Sequence, residues 1–130
     1  LHNQVYSVAN IVGLDPYWGF FHSDKYGSPA LIFDMIEEFR SVIIDRLVFK
    51  CIKSGYIKPE HFSNDGDLVK LNEKGFKIYL NHYDNCLNST IKHPRENINC
   101  TYFRCIELQL RLLANLLLDK IVCYTPFLIK

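Results

Sequence analysis

The chain has 130 residues, a formal net charge of +1 and 48% hydrophobic residues. That length suits one domain with its own core, and that composition excludes a disordered chain. No run of 18 apolar residues occurs, which argues against a membrane-spanning helix.

Residue 1 is Leu, and the sequence opens inside a periodic segment. It reads as a piece of a longer protein. Val5, Val8, Ala9 and Val12 recur at helical spacing, and Gly13 suits the stop. Asp15-Pro16 then begins a loop rich in Gly and aromatic residues: Tyr17, Trp18, Phe20, Phe21. Such rings are expected to pin the loop to the core, with His22 beside them.

A long helix is expected next. Ser28 is the candidate N-cap and Pro29 suits the first helical position. One stripe holds Ile32, Met35, Phe39, Val42, Arg46 and Phe49, widened by Leu31, Ile36, Ile43 and Leu47. A helix that is apolar over so much of its circumference is central to the fold. Gly55 ends it.

HFSNDGDLVKL, residues 61–71, reads as two short strands around Asn64-Asp65-Gly66, a good hairpin signal. Asn72 caps the next helix, with Phe76, Tyr79, Leu80, Tyr83 and Leu87 at helical spacing. Residues 88–98 are polar, contain Pro94 and read as a loop. The last helix runs from about Thr101 to Lys120. Tyr102, Ile106, Leu110, Leu113 and Leu117 form its buried face, and Arg104, Glu107, Arg111 and Asn115 its polar face. YTPFLIK is an extended tail. The expected fold is mainly α: one helical domain over residues 1–130 with one small β-hairpin.

The chemistry concentrates in GLDPYWGFFH and the DMIEEFR that follows. Asp34 lies one short turn from both Glu37 and Glu38. Two clustered carboxylates favour a raised pKa or a bound cation. With a nearby histidine they make a mixed oxygen and nitrogen site suited to magnesium or manganese. Spacing alone does not say which glutamate joins Asp34. The bland reading is a solvated acidic face, with Glu37 or Glu38 paired to Arg40 and His22 a hydrogen-bonded core histidine.

Other constellations are weaker. His82 and Cys86 stand at i and i+4 but lack a second pair for zinc. His61 and His93 fall in loop-like sequence. Five cysteines, an odd number with no CxxC, point to reduced thiols in a cytosolic protein. Lys25, Arg40, Arg46, Lys50, Lys53, Arg104 and Arg111 are candidates for a phosphate-tracking surface or for ordinary solvated charge.

GLDPYWGFFH…SPALIFDMIEEFR resembles the catalytic signature of the CRISPR-associated spacer-acquisition integrase/endonuclease, the first-numbered Cas protein. The likeness continues through IKPEHFSNDGDLVKLNEKGFKIYLNHYD, YFRCIELQLRLLANLL and YTPFLIK, so it covers essentially the whole chain. It implies the C-terminal catalytic domain of a metal-dependent DNA endonuclease and integrase. That enzyme joins captured DNA 3′-hydroxyl ends into the CRISPR repeat by transesterification. His22 and Glu37 match metal ligands, for magnesium or manganese, and Asp34 a supporting acid, which leaves Glu38 outside the site. Lys25, Arg40 and Arg104 are candidate DNA contacts. The implied partners are double-stranded DNA, a second copy of the full-length protein and the second-numbered Cas protein as a bridging dimer. The implied location is the prokaryotic cytoplasm, with no membrane association. Two departures stand out. The family's first ligand glutamate lies upstream of the GLDP element, and residues 1–12 hold no acid. The family's β-rich N-terminal domain is also missing. The fragment alone is therefore expected to be inactive, and the alternative is a non-catalytic DNA-binding or assembly module.

Overall fold

The computed structural model describes residues 1–22 and 26–129. The elements run α1 (His2–Val12), α2 (Ala30–Phe39), a π-helical turn (Arg40–Asp45), α3 (Arg46–Lys53), a 3-10 turn (Pro59–His61), β1 (Phe62–Asp65), β2 (Leu68–Leu71), α4 (Glu73–Leu87), β3 (Thr90–Lys92), β4 (Asn99–Thr101) and α5 (Tyr102–Leu117). The domain is mainly α, as its periodicity predicts. Helix α1 ends at Gly13, whose φ of 87° is the left-handed stop that glycine adopts without steric cost.

Helix α2 starts at Ala30 with Pro29 as the flanking residue, and no side chain caps it. Ser28 therefore does not cap this helix. The long helix is also not uniform. Between α2 and α3 the Arg40–Asp45 segment widens into a π turn. Its i→i+5 ladder inserts an extra residue into the apolar register. The buried stripe thus runs Ile32, Met35, Phe39 and then Ile43, Leu47, Cys51. Val42 is only half-buried, Arg46 faces solvent, and Phe49 is 75% exposed. A straight α-helix would have placed Val42, Arg46 and Phe49 on the core side.

The core collects Val5, Val8 and Ala9 of α1 with Ile32 and Phe39 of α2 and Cys105, Ile106 and Leu110 of α5. Helix α1 packs on both α2 and α5. The C-terminal tail completes it: Phe127 is buried and its ring stacks on Phe39 at 4.8 Å.

The hairpin β1–β2 pairs Asp65 with Leu68, so its two-residue turn is Gly66-Asp67, one to two residues beyond the expected one. Asn72 caps α4 by accepting from Gly75 N at 2.9 Å, and Thr101 caps α5 by accepting from Arg104 N at 3.2 Å. Residues 88–98 are not simply a loop. Thr90–Lys92 pairs antiparallel with Asn99–Thr101 and forms a second two-stranded ladder. His61 and His93, both in loop-like sequence, are buried. Each folds its Nδ1 back onto local backbone amides: Lys58 N for His61, and Arg95 N and Glu96 N for His93. A histidine used as a turn cap is indistinguishable by composition from one in a free loop.

Candidate metal and DNA site

The loop before α2 is fastened by one carboxylate. Asp34 Oδ2 accepts from Phe20 N at 2.5 Å and Phe21 N at 3.1 Å, while Oδ1 accepts from His22 N at 3.0 Å. The same Oδ1 lies 2.6 Å from His22 Nδ1. Burial pushes the Asp34 carboxyl up, but these four hydrogen bonds outweigh it and hold its pKa below the ordinary value. An ionised carboxylate is an acceptor only, so Nδ1 carries the hydrogen, and in the neutral ring the lone pair lies on Nε2.

The two side chains differ in exposure. Asp34 is 5% exposed and His22 is 46% exposed. Asp34 therefore spends its lone pairs inward, and His22 presents its ring outward. The His22 ring also leans on Phe33, with centroids 5.7 Å apart.

The aromatic residues do not pin the loop. Trp18 is 74% and Phe21 91% exposed, and Tyr17 and Phe20 also face solvent. Attachment comes from backbone amides instead, and it requires Gly19. A Cβ there would lie 2.7 Å from Ala30 Cβ and 2.9 Å from Asp34 Oδ2. The loop crosses the start of α2 too closely for any side chain.

The glutamates take separate paths. Glu37 is exposed, and its Oε1 meets Arg40 Nη1 at 3.4 Å. Glu38 is half-buried and clamps the C-terminal tail. It accepts from Gln109 Nε2 at 2.9 Å, from Phe127 N at 2.9 Å and from the Tyr124 hydroxyl. Burial, and then this carboxylate, push the Tyr124 phenol far above its ordinary range. Gln109 Nε2 also lies 3.0 Å from the Tyr124 oxygen and 3.1 Å from Thr125 O. Sequence spacing left Glu37 and Glu38 equivalent; the clamp separates them. A Tyr and a buried Gln were the available signals, but nothing in their spacing links them to Glu38.

The donor set suits a hard divalent cation in part. His22 Nε2 and the exposed Glu37 carboxylate are of the right types. Among the described residues, no three His, Cys, Asp or Glu side chains gather closely enough to hold a metal. Of the candidate DNA contacts, Arg40 is exposed beside Glu37. Arg104 pairs with Glu107 at 2.5 Å, and Glu107 also holds Arg111 at 2.8 Å. Those guanidinium groups lower the Glu107 carboxyl. Lys25 lies outside the described residues. The suggested His82–Cys86 pair finds no further ligand among the described residues; the His82 ring instead stacks on Tyr56 at 4.2 Å.

Residues 1–85 match the family model "CRISPR associated protein Cas1". A CRISPR-associated endonuclease Cas1 of Leptospira interrogans is 37% identical over 131 residues, covering all of this chain and 51% of that protein. CRISPR-associated endonuclease Cas1 3 of Thermus thermophilus is 31% identical over 130 residues, covering all of this chain and 39% of its own length. The chain thus spans about two-fifths to one-half of these curated relatives. Among solved structures, a casposase bound to integration product superposes with a TM-score of 0.86 at 27% identity, over all of this chain and 38% of that one. The Cas1 protein TM1797 of Thermotoga maritima gives 0.84 at 25% identity, over 91% of this chain and 36% of its own. The match in sequence and in fold means that this chain belongs to the Cas1 family of CRISPR-associated proteins.

Proposed function

We propose that this chain is the C-terminal catalytic part of a metal-dependent DNA endonuclease and integrase of CRISPR adaptation. The observation that carries the reading is the Asp34–His22 junction, which fixes one imidazole tautomer and leaves Nε2 facing outward. His22 and Glu37 would hold magnesium or manganese, and Asp34 positions His22 through its Nδ1. When bound, the metal neutralises charge developing at the attacked phosphate. The chain's own contribution is placement. Asp34 locks the histidine, Gly19 lets the loop reach Asp34, and α2 gives Glu37 a rigid base. Arg40, beside Glu37, is well placed to meet a DNA phosphate.

The reaction is strand transfer. A DNA 3′-hydroxyl attacks a phosphodiester of the CRISPR repeat, a new phosphodiester forms, and the displaced strand leaves with its own 3′-hydroxyl. The partners are double-stranded DNA, a second copy of the full-length protein and a Cas2 dimer, and the location is cytoplasmic. No helix among the described residues is long and apolar enough to cross a membrane.

The second reading, a non-catalytic DNA-binding or assembly module, draws on a specific observation. No third ligand joins His22 and Glu37 among the described residues, and Glu37 is engaged by Arg40. These 130 residues by themselves are accordingly expected to be inactive. The test is strand transfer by the full-length protein with magnesium or manganese, alongside DNA affinity at fixed salt. His22→Ala or Glu37→Ala should slow the chemical step by orders of magnitude and change DNA affinity much less. Wild-type strand transfer in Glu37→Ala would remove Glu37 from the site and direct attention to Asp34 and Glu38.

A further inference from the structure

A cleft of about 300 Å³ opens between α3, the end of α4, β3 and the start of α5. Its polar lining is Arg46, Lys50, His82, Asn85, Ser89 and Tyr102, with no carboxylate among the lining residues. Arg46 and Lys50 are exposed, and no acidic side chain of the described residues lies within ion-pair distance of either. The other four arginines, Arg40, Arg95, Arg104 and Arg111, each meet a carboxylate at 4.0 Å or less.

The π turn is what creates this arrangement. It moves Ile43 and Leu47 onto the core stripe and turns Arg46 and Lys50 outward toward α4 and α5. Arg46 and Lys50 line the cleft together with Tyr102 and Cys86. Burial raises the Tyr102 phenol, and the Arg46 guanidinium opposes that rise. Burial raises the Cys86 thiol on the cleft wall, and the Lys50 ammonium opposes it. His82 is held in place by the Tyr56 ring. Cations and neutral donors converge on a space that suits an anionic oxygen group.

We propose that Arg46, Lys50 and His82 form a second anion cleft, which takes a backbone phosphate of bound DNA away from the His22–Glu37 centre. The proposal rests on the DNA reading above. The cleft contributes to affinity and to register, and it takes no part in the chemical step.

The test uses the full-length protein and a duplex of about 30 base pairs, with affinity measured across a salt series. Each neutralised phosphate contributes about 0.9 to the slope of log K against log salt. The double variant Arg46→Gln/Lys50→Gln, which disables a site for one phosphate, should lose about 0.9 of that slope, roughly a threefold to fourfold smaller drop in affinity between about 50 and 200 mM salt. Arg46→Lys, which keeps the charge, should keep the slope. A control, Lys74→Gln/Lys120→Gln, removes two exposed lysines outside the cleft. An unchanged slope in the cleft variant, or an equal loss in the control, overturns the proposal. Deoxyadenosine monophosphate serves as a second probe. If it binds in the micromolar range and only that binding is lost in the cleft variant, the cleft takes a free nucleotide and the DNA proposal fails. If wild-type protein binds duplex but performs no strand transfer, the catalytic reading fails, and the salt slopes still decide the cleft. If wild type does not bind duplex, both fail.

Discussion

Asp34 Oδ1 stands 2.6 Å from His22 Nδ1 while the same carboxylate receives three consecutive backbone amides, from Phe20, Phe21 and His22. One side chain therefore sets both the path of the loop and the tautomer of the imidazole. Asp34→Asn keeps the size but replaces two negatively charged oxygens by one neutral oxygen and one amide donor. The amide nitrogen cannot accept a backbone hydrogen bond. We expect a loss of stability on the order of 2 kcal/mol, since hydrogen bonds to charged groups exceed neutral ones. Thermal unfolding checks this. Strand transfer by the full-length protein should fall by more than the folded fraction explains, because the histidine tautomer is no longer fixed.

The same junction sets an acid limit. The folded Asp34 pKa lies below its ordinary value, so the unfolded chain binds the proton more readily. The stabilisation is complete above the unfolded-state pKa of about 3.9 and is lost as pH falls through the lower folded value. Stability should therefore decline below about pH 4, and the decline should be shallower in Asp34→Asn. Chemical denaturation across pH 2.5 to 6 measures it. Equal slopes in both proteins would mean that Asp34 is not the group responsible.

Gly19 gives a steric test of the same contact. An added methyl would sit 2.7 Å from Ala30 Cβ, 2.8 Å from the Ala30 carbonyl carbon and 2.9 Å from Asp34 Oδ2. None of these is the far end of a flexible side chain free to swing away. Gly19→Ala should therefore lift the loop from α2, at a cost of about 1–3 kcal/mol. The His22 ring signals in an NMR spectrum should move toward those of Asp34→Asn. Unchanged signals would show that the loop absorbs the methyl without losing the junction.

Glu38 predicts the behaviour of the C-terminal tail. Glu38→Ala leaves Gln109, the Tyr124 hydroxyl and Phe127 N without their shared acceptor. Breaking a buried charged network by removing one member costs about 3 kcal/mol. Phe127 would lose its anchor beside Phe39. Limited proteolysis should then cut near residues 119–126 in the variant at protease levels that leave the parent intact. Tyr124→Phe, which removes the hydroxyl's contacts with Glu38 and Gln109 but leaves the carboxylate to hold Phe127 N, should fall between the two.

Much of this was legible in the sequence. Apolar spacing located α1, α4 and α5, and Asn72 announced its cap. The hairpin followed from Gly66 and its neighbours. In the long helix and at the site, the failures depended on a partner distant in the chain or on a local change of helical pitch. Phe49 and Cys51 trade places because of six π-helical residues, and a fixed 100° step cannot represent that change. Trp18 and Phe21 looked like core anchors, yet the anchor is Asp34, 13 to 14 residues away from the amides that it holds at positions 20 and 21. Glu37 and Glu38 were separable by resemblance but not by spacing, because the partners of Glu38 lie 71 and more residues downstream.

Arg40 poses the remaining question at the site. Its guanidinium meets Glu37 at 3.4 Å, and both side chains are more than half exposed. Exposed pairs of this kind contribute about 0.2–1 kcal/mol, so Arg40 competes only weakly with a cation for the carboxylate. Removing it should tighten manganese binding, because one rival for Glu37 is gone and one repelling charge is lost. A coupling of about 0.5 kcal/mol corresponds to roughly a twofold gain, with fivefold as the upper end. DNA affinity should move the other way if Arg40 faces a phosphate, with a salt slope lower by about 0.9. The measurement is manganese titration followed by electron paramagnetic resonance, on full-length Arg40→Ala and its parent, with duplex binding measured on the same samples. Weaker manganese binding in Arg40→Ala would show that the arginine orients Glu37 for the metal and does not compete with it.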